Sequence, residues 1–452
     1  MRDVIAPAIG VLATLLVCYL VPSVFSQQVG TTTILIHLAL TGWMLWYWFH
    51  NQSRTSSAQF RHLLVLGVIA RCSLLLVPPF TTHDVERYLW DGAVAIAGLD
   101  PYLVAPEDAI AQKLRSVWPT PQEHAAYATL YPPLALALYA LCALAGPVMG
   151  IWLWKFLLTL ASIATLFIVA DLLKHTNQTR HLALIALSPL MLLEVGIGAH
   201  VDGFSALALS GALWAGLRAR WWLVGSAIGL GACVKLLPIL ALGPFLFAKS
   251  LPFAEDPPFT TSSPHTNSLS RWSMMIAGTF GTIGLIYGSA FALDLQPIGN
   301  LVVFFDSWRN GSPVNALLEW TLPELSHLYI TLPLAALFGA YALYRAQRDL
   351  FAGLVIMLAI PLLLSPVVFP WYLLILVPLL SLRPSAWLLL WVTTVPFAYE
   401  VLNRFETTGE WSPAVWPLLM IAGGWLIGWL IDRYSAHFTG MIGTRALSSN
   451  KD

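Results

Sequence analysis

The sequence predicts an all-α, polytopic integral membrane protein. Three observations carry this. Of its 452 residues 58% are hydrophobic and only 10% are charged, whereas a soluble domain carries about 25% charged residues. Apolar runs of about 20 residues, each long enough to cross a bilayer as a helix, recur along the whole chain. The short alternating segments of a membrane β-barrel are not seen.

The remaining composition excludes more than it assigns. The 23 Lys and Arg balance the 23 Asp and Glu, which leaves no electrostatic case for a nucleic-acid partner. Cys18, Cys72, Cys142 and Cys233 all lie in apolar stretches without metal-ligand spacing. They read as small buried hydrophobes, and no metal site is expected from them.

The first apolar run, 5–25, could pass for a signal peptide. It is too long for a typical one and has no clear cleavage site, so it reads as the first span. Further spans are expected near 31–50, 63–79, 127–147, 151–172, 182–198, 201–217, 222–247, 272–292, 325–344, 350–368, 371–382, 385–402 and 414–432. That gives roughly 12–14 transmembrane helices. Residues 1–452 read as a single membrane-embedded domain without internal repeats. Two connections are long: 80–126, and a Pro/Ser/Thr-rich segment at 249–271 that reads as a flexible loop. The Lys and Arg near span ends place the N-terminus inside and 80–126 outside. Simple alternation then leaves Lys174, Arg180, Arg218 and Arg220 outside. Broken or half-membrane helices between 127 and 248 would repair this, and such segments tend to mark sites.

The polar stretch PFTTHDVERYLWDGAVAIAGLDPYLVAP (79–106) concentrates charge in an apolar chain. With Thr81 or Thr82 as N-cap, Asp84, Arg87, Tyr88 and Asp91 fall on one helical face. Val85, Leu89, Ala93 and Ile96 fall on another. The pattern predicts an amphipathic helix lying on the outer membrane surface. Gly98 and Pro101 end it, a second helical stretch follows from Glu107 to Val117, and YPPL (131–134) leads back into the bilayer. Asp84 and Asp91 are two turns, or about 10 Å, apart and cannot both contact one hydroxyl. Asp84, at the loop-to-helix junction, is the better-placed base. Arg87 one turn on should keep it ionised. Asp91 is placed to accept from Arg87 and hold the helix.

The series HDVERYLWDG, GLDPYLVAP and YPPLALALY resembles the first external loop of GT-C glycosyltransferases. It looks most like the polyprenol-phosphate-mannose-dependent mannosyltransferases and their bacterial relatives. SPLMLLEVGIGAHVDGFSALAL (188–209), KLLPILALGPFLF (235–247), WRNGSPVNALLE (308–319) and LLLSPVVFPWYLLILVPLL (362–380) fit in order. The resemblance implies an inverting glycosyltransferase in the plasma (bacterial inner) membrane, with its active site facing outside. Its partners would be a polyprenyl-phosphate-linked sugar donor, by the resemblance mannose, a lipid or glycan acceptor, and membrane lipids. It points to Asp84 as catalytic. No cofactor is implied, and a divalent metal is left open. Relatives often carry His before PWY; Phe369 stands here.

A departing phosphate needs cations. Lys235 sits mid-span ahead of Pro238, where a charge usually faces protein or a water-filled cavity. Arg309, in the polar DSWRNGS, is the second candidate. Arg71 and Lys155 rank lower because each could pair structurally. His200 and Asp202 could both face a sugar from a turn, or could merely cap a helix end. Tyr131 would shape the mouth. Trp371 and Tyr372 suit the interfacial aromatic belt. Glu194 is buried by pattern and has no assigned role. Two rival functions stay open: a transporter or flippase for a lipid-linked sugar, and a ligase using a diphosphate-linked donor.

Overall fold

The computed structural model describes residues 2–50, 56–120, 125–249, 268–299, 308–323 and 326–448. The Pro/Ser/Thr-rich segment expected to be a flexible loop falls mostly outside them, at 250–267. Among the described residues the architecture is helical, without a named strand. The longer helices are α1 (Arg2–Val17), α2 (Val29–His50), α3 (Ser57–Ser73), α4 (Asp84–Ile96), α5 (Pro133–Ala143) and α6 (Gly146–His175). They continue with α7 (Pro189–Gly196), α8 (Asp202–Leu217), α9 (Trp221–Ala232), α10 (Ser268–Ala292) and α11 (Pro313–Thr321). The last are α12 (Leu328–Ala346), α13 (Leu350–Leu364), α14 (Glu400–Thr408) and α15 (Val415–Ser448), with a further nine-residue helix, Ala386–Thr394, between α13 and α14.

Among the described residues six helical stretches are long and apolar enough to cross a membrane: Ser26–His50, Gly146–His175, Thr179–Gly196, Ser268–Ala292, Leu328–Ala346 and Val415–Tyr434. Six further apolar helices are only 10–17 residues long. Several of these were expected to be uninterrupted spans. The outer helices α10 and α12 leave large apolar side chains uncovered, such as Leu285 at 72% and Leu337 at 64% exposure. In water such surfaces would be liabilities; against lipid tails they are the natural outer face. The protein core lies elsewhere. Every residue of α7 is buried, as are most of the 3-10 segment Pro370–Leu376.

The expected break between 127 and 248 is present, and Lys235 sits in it. α9 ends at Ala232 and helical structure resumes only at Leu237, as a 3-10 turn carrying Pro238. The break places freed backbone groups where they need partners. The Cys233 carbonyl accepts from the Leu134 amide at 3.0 Å, in the first turn of α5. One orphan carbonyl and one orphan amide therefore satisfy each other.

The helix expected to be external differs from expectation. It was expected to lie on the membrane surface. Instead α4 is buried over most of its length, from Val85 to Val94 apart from Glu86. Gly92 explains the close packing: a Cβ there would stand 2.4 Å from the Tyr139 carbonyl group of α5. The polar face carries internal pairs, Arg87 with Asp91 and Tyr88 with Asp84. Its N-cap is His83 rather than Thr81 or Thr82, although the Thr82 hydroxyl accepts from the Asp84 amide at 3.4 Å. Gly98 ends the helix region with φ +75°, as expected. The stretch after it is shorter than expected: a 3-10 turn at Ala109–Ala111 and one helical turn at Gln112–Arg115.

Two distant loops are clasped together nearby. Asn310 and Val367 form an isolated parallel bridge, and the Val368 amide donates to the Asn310 carbonyl at 2.8 Å. Gly311, at φ +59°, permits this; a Cβ would fall 2.1 Å from the Val368 carbonyl oxygen.

Candidate active site

A cavity of about 780 Å³ opens where α4 meets the helix break and the two clasped loops. Asp84, Arg87, Asp91, Tyr131, Asp202 and Lys235, six of the eight sequence candidates, line it. Its apolar lining includes Ile151, Leu236, Leu237, Ile239, Leu240 and Leu362.

Asp84 begins α4. Its Oδ2 accepts from the Tyr88 hydroxyl one turn on, at 3.2 Å, and lies 3.2 Å from His200 Nδ1. Burial and the neighbouring Asp84 charge push the Tyr88 phenol well above its ordinary range, so it remains a protonated donor. Tyr131 packs edge-on against Tyr88 with ring centroids 5.2 Å apart. Its carbonyl accepts from the Tyr102 hydroxyl at 2.9 Å, which anchors it in the cavity lining.

Arg87 and Asp91 form the expected pair. Arg87 Nε donates to Asp91 Oδ1 at 2.9 Å, with both side chains buried. Burial pushes the Asp91 carboxyl above its usual range, and Arg87 pulls it back.

Lys235 reaches across the break to Asp202 at the start of α8. Its ammonium lies 2.7 and 2.8 Å from the two Asp202 oxygens. It also sits 4.1 Å above the Tyr372 ring, a cation–π contact that favours the charge.

His200 is fully buried behind Asp84 and does not line the cavity. It is aimed by the residue before it. Ala199 adopts φ +52°, uncommon for a residue with a Cβ, and its carbonyl is held by Trp154 Nε1 at 2.8 Å. The imidazole stacks on Trp371, centroids 3.7 Å apart, and Trp371 stacks on Phe369 at 4.4 Å. Trp371 is thus buried, not part of the interfacial belt expected for it, and Tyr372 likewise faces the cavity. Phe369 supplies the apolar end of the stack.

Glu194, to which the sequence assigned nothing, lies on the far side of His200. Its Oε2 is 3.7 Å from His200 Nε2 and accepts from the Tyr399 hydroxyl at 2.5 Å. Its Oε1 is 3.1 Å from His37 Nε2. The one signal available in sequence was an acid within the apolar run PLMLLEVG, where a buried carboxylate must find donors.

Arg309 is not brought to the cavity. Its neighbours Trp308 and Asn310 line it, while the Arg309 Nε meets Glu319 Oε1 at 2.5 Å. Arg71 and Lys155 are structural, as ranked. Arg71 donates to Ser162 and to the carbonyls of Gly67, Ile185 and Ala186. Lys155 donates to the carbonyls of Leu74 and Val77 at the end of α3 and just beyond it. Among the described residues no group of three or more His, Cys, Asp or Glu is arranged to hold a metal ion.

Residues 6–249, more than half of the chain, match the family described as alpha-(1->6)-mannopyranosyltransferase, N-terminal domain. The chain belongs to this family. The matched segment holds Asp84, Arg87, Asp91, Tyr131, His200, Asp202 and Lys235. A similar protein is a probable alpha-(1->6)-mannopyranosyltransferase of Mycolicibacterium smegmatis. It is 25% identical over 393 residues, covering 76% of this chain and 68% of the relative. In this member of the mannosyltransferase family, the aromatic side of the cavity, from Trp308 to Trp411, lies beyond the matched segment.

Proposed function

We propose that the protein transfers mannose from a polyprenyl-phosphate donor to a glycan or lipid acceptor on the outer face of the bacterial inner membrane, with inversion. One observation carries this reading. Asp84 and Lys235, one carboxylate and one ammonium drawn from distant elements, line a single cavity that also has an apolar lining.

The assignment of roles follows from the chemistry. The acceptor hydroxyl oxygen attacks the anomeric carbon of the donor as its proton passes to Asp84, a general base. The bond from that carbon to the phosphate oxygen breaks, and the electron pair leaves with the phosphate. Attack opposite the leaving group turns a β-linked donor into an α product, the configuration in the family description. Lys235 offsets the charge gathering on the phosphate. Its ammonium has three N–H groups; Asp202 takes two, and the third serves the donor. Leu236, Leu237, Ile239 and Leu240 continue directly from Lys235 and line the cavity, which suits an isoprenoid tail. Tyr131 narrows the mouth. Arg87 and Asp91 hold the helix that presents the base.

The test is single-turnover transfer from radiolabelled polyprenyl phosphate mannose to a panel of glycan and lipid acceptors, with donor binding measured separately. Asp84→Asn is nearly isosteric and cannot take a proton. It should slow transfer by at least about 100-fold, as loss of a general base does, with donor still bound. If Asp84→Asn retains its rate while Asp91→Asn loses it with donor bound, the base is Asp91. If both retain their rates, α4 is not the catalytic element.

A further inference from the structure

The mechanism above leaves a buried polar cluster unused. Asp84 meets His200 at 3.2 Å; behind it, Glu194 pairs with His37 and Tyr399 and stands 3.7 Å from His200 Nε2, outside hydrogen-bond range. Burying two histidines and a glutamate in an apolar interior is costly unless they satisfy one another. His200 is at 0% exposure and Glu194 at 1%, so neither can act on a ligand directly. His200 meets the cavity's carboxylate from behind.

We infer that His200 is a positioning residue for Asp84, holding one carboxylate oxygen through Nδ1–H while the Trp371 stack fixes the ring. The inference rests on Asp84 being the base. The tautomer follows from the partner. An ionised carboxylate only accepts hydrogen bonds, so Nδ1, 3.2 Å from Asp84 Oδ2, carries the proton, whereas Nε2, 3.7 Å from Glu194, is outside hydrogen-bond range. The flat stack on Trp371 sets the ring plane, and the strained Ala199 sets its approach. Donation to a carboxylate favours its charged form, the form a base needs. It also fixes which way the second oxygen faces.

Other charged and titratable groups surround Asp84. Glu86, Arg87 and Tyr88 lie on its own helix, and Tyr131 packs against Tyr88. Asp202 with Lys235, Tyr372 and Tyr399 approach from the opposing elements. All of these stay in place when only residue 200 is changed, which makes a paired substitution informative.

His200→Asn and His200→Gln are both amides of lower volume, and both lose the stack. The Asn amide nitrogen falls near the position of Nδ1 and can still donate to Asp84. The Gln nitrogen falls near Nε2 and cannot. In the pH–rate profile of mannose transfer, His200→Gln should move the acid limb upward by about one pH unit, the scale of one lost hydrogen bond to a charge. His200→Asn should keep the limb within about half a unit of the native one. A merely structural histidine would lower the plateau in both variants and leave both limbs unmoved. That result overturns the inference while Asp84→Asn remains inactive. If Asp84→Asn is active, it is instead the catalytic reading that fails.

A second measurement does not use activity. In ¹⁵N-histidine spectra of the purified protein, the His200 signal, identified by its loss in His200→Gln, should report a protonated Nδ1 that shifts in Asp84→Asn. A neutral ring protonated only at Nε2, or a signal indifferent to Asp84→Asn, would sink the proposal whatever the assay shows.

Discussion

Lys235 shows how much one residue can be asked to do. It neutralises Asp202, lies over Tyr372 and faces the cavity. Lys235→Met keeps the bulk and removes the charge, leaving Asp202 buried with its main counter-charge gone. Breaking a buried pair this way costs about 3–5 kcal/mol. Lys235 is partly open to the cavity, with 24% of its side chain exposed. Solvent screening therefore reduces the expected loss to about 2 kcal/mol. The double variant Lys235→Met/Asp202→Asn should regain most of that stability in thermal unfolding. It should not regain donor binding if the ammonium holds the phosphate. Recovery of both would make Lys235 a structural partner of Asp202 and nothing more.

At the scale of elements, the site depends on how closely α4 approaches α5. Gly92→Ala would push a methyl group to 2.4 Å from the Tyr139 carbonyl carbon and oxygen, backbone atoms that cannot swing aside. The two helices must separate, at a cost of about 1–3 kcal/mol or more. Asp84 is carried on the same helix, so transfer should fall as well. Gly42 is the control. It lies within α2 and has nothing within 4 Å of its would-be Cβ. Gly42→Ala should be neutral or gain up to about 1 kcal/mol from helix propensity. Equal melting temperatures for the two variants would mean that the contact is looser than the structure has it. The break after α9 follows the same logic. The Cys233 carbonyl left at the break accepts from the Leu134 amide of α5, so α5 meets both α4 and the break.

The whole molecule poses the question of sidedness. The positive-inside pattern predicts that the cavity mouth faces outside. A Glu86→Cys variant lacking Cys18, Cys72, Cys142 and Cys233 should react with an impermeant thiol reagent only from the outer face. Glu86 lines the cavity, so bound donor should slow the reaction. Labelling only from the cytoplasm would invert the topology and the proposed site with it.

What the sequence determined by itself is what local rules control. Composition and run length fixed the helical membrane class, because a bilayer demands long apolar segments with internally bonded backbone. Helical spacing alone gave the Arg87–Asp91 pair, four residues apart. A misplaced charge and a proline located the break at Lys235. The tertiary structure decided what no periodicity encodes. Asp84 meets His200 across 116 residues, and Glu194 meets His37 across 157 and Tyr399 across 205. It also turned Arg309 aside while bringing Trp308 in, and buried Trp371 where the aromatic belt was expected. The physical reason is common to these cases. A helix fixes where its own side chains stand relative to one another, but only packing decides which face meets which. A buried polar group declares in sequence that it needs a partner, and leaves the fold to supply it.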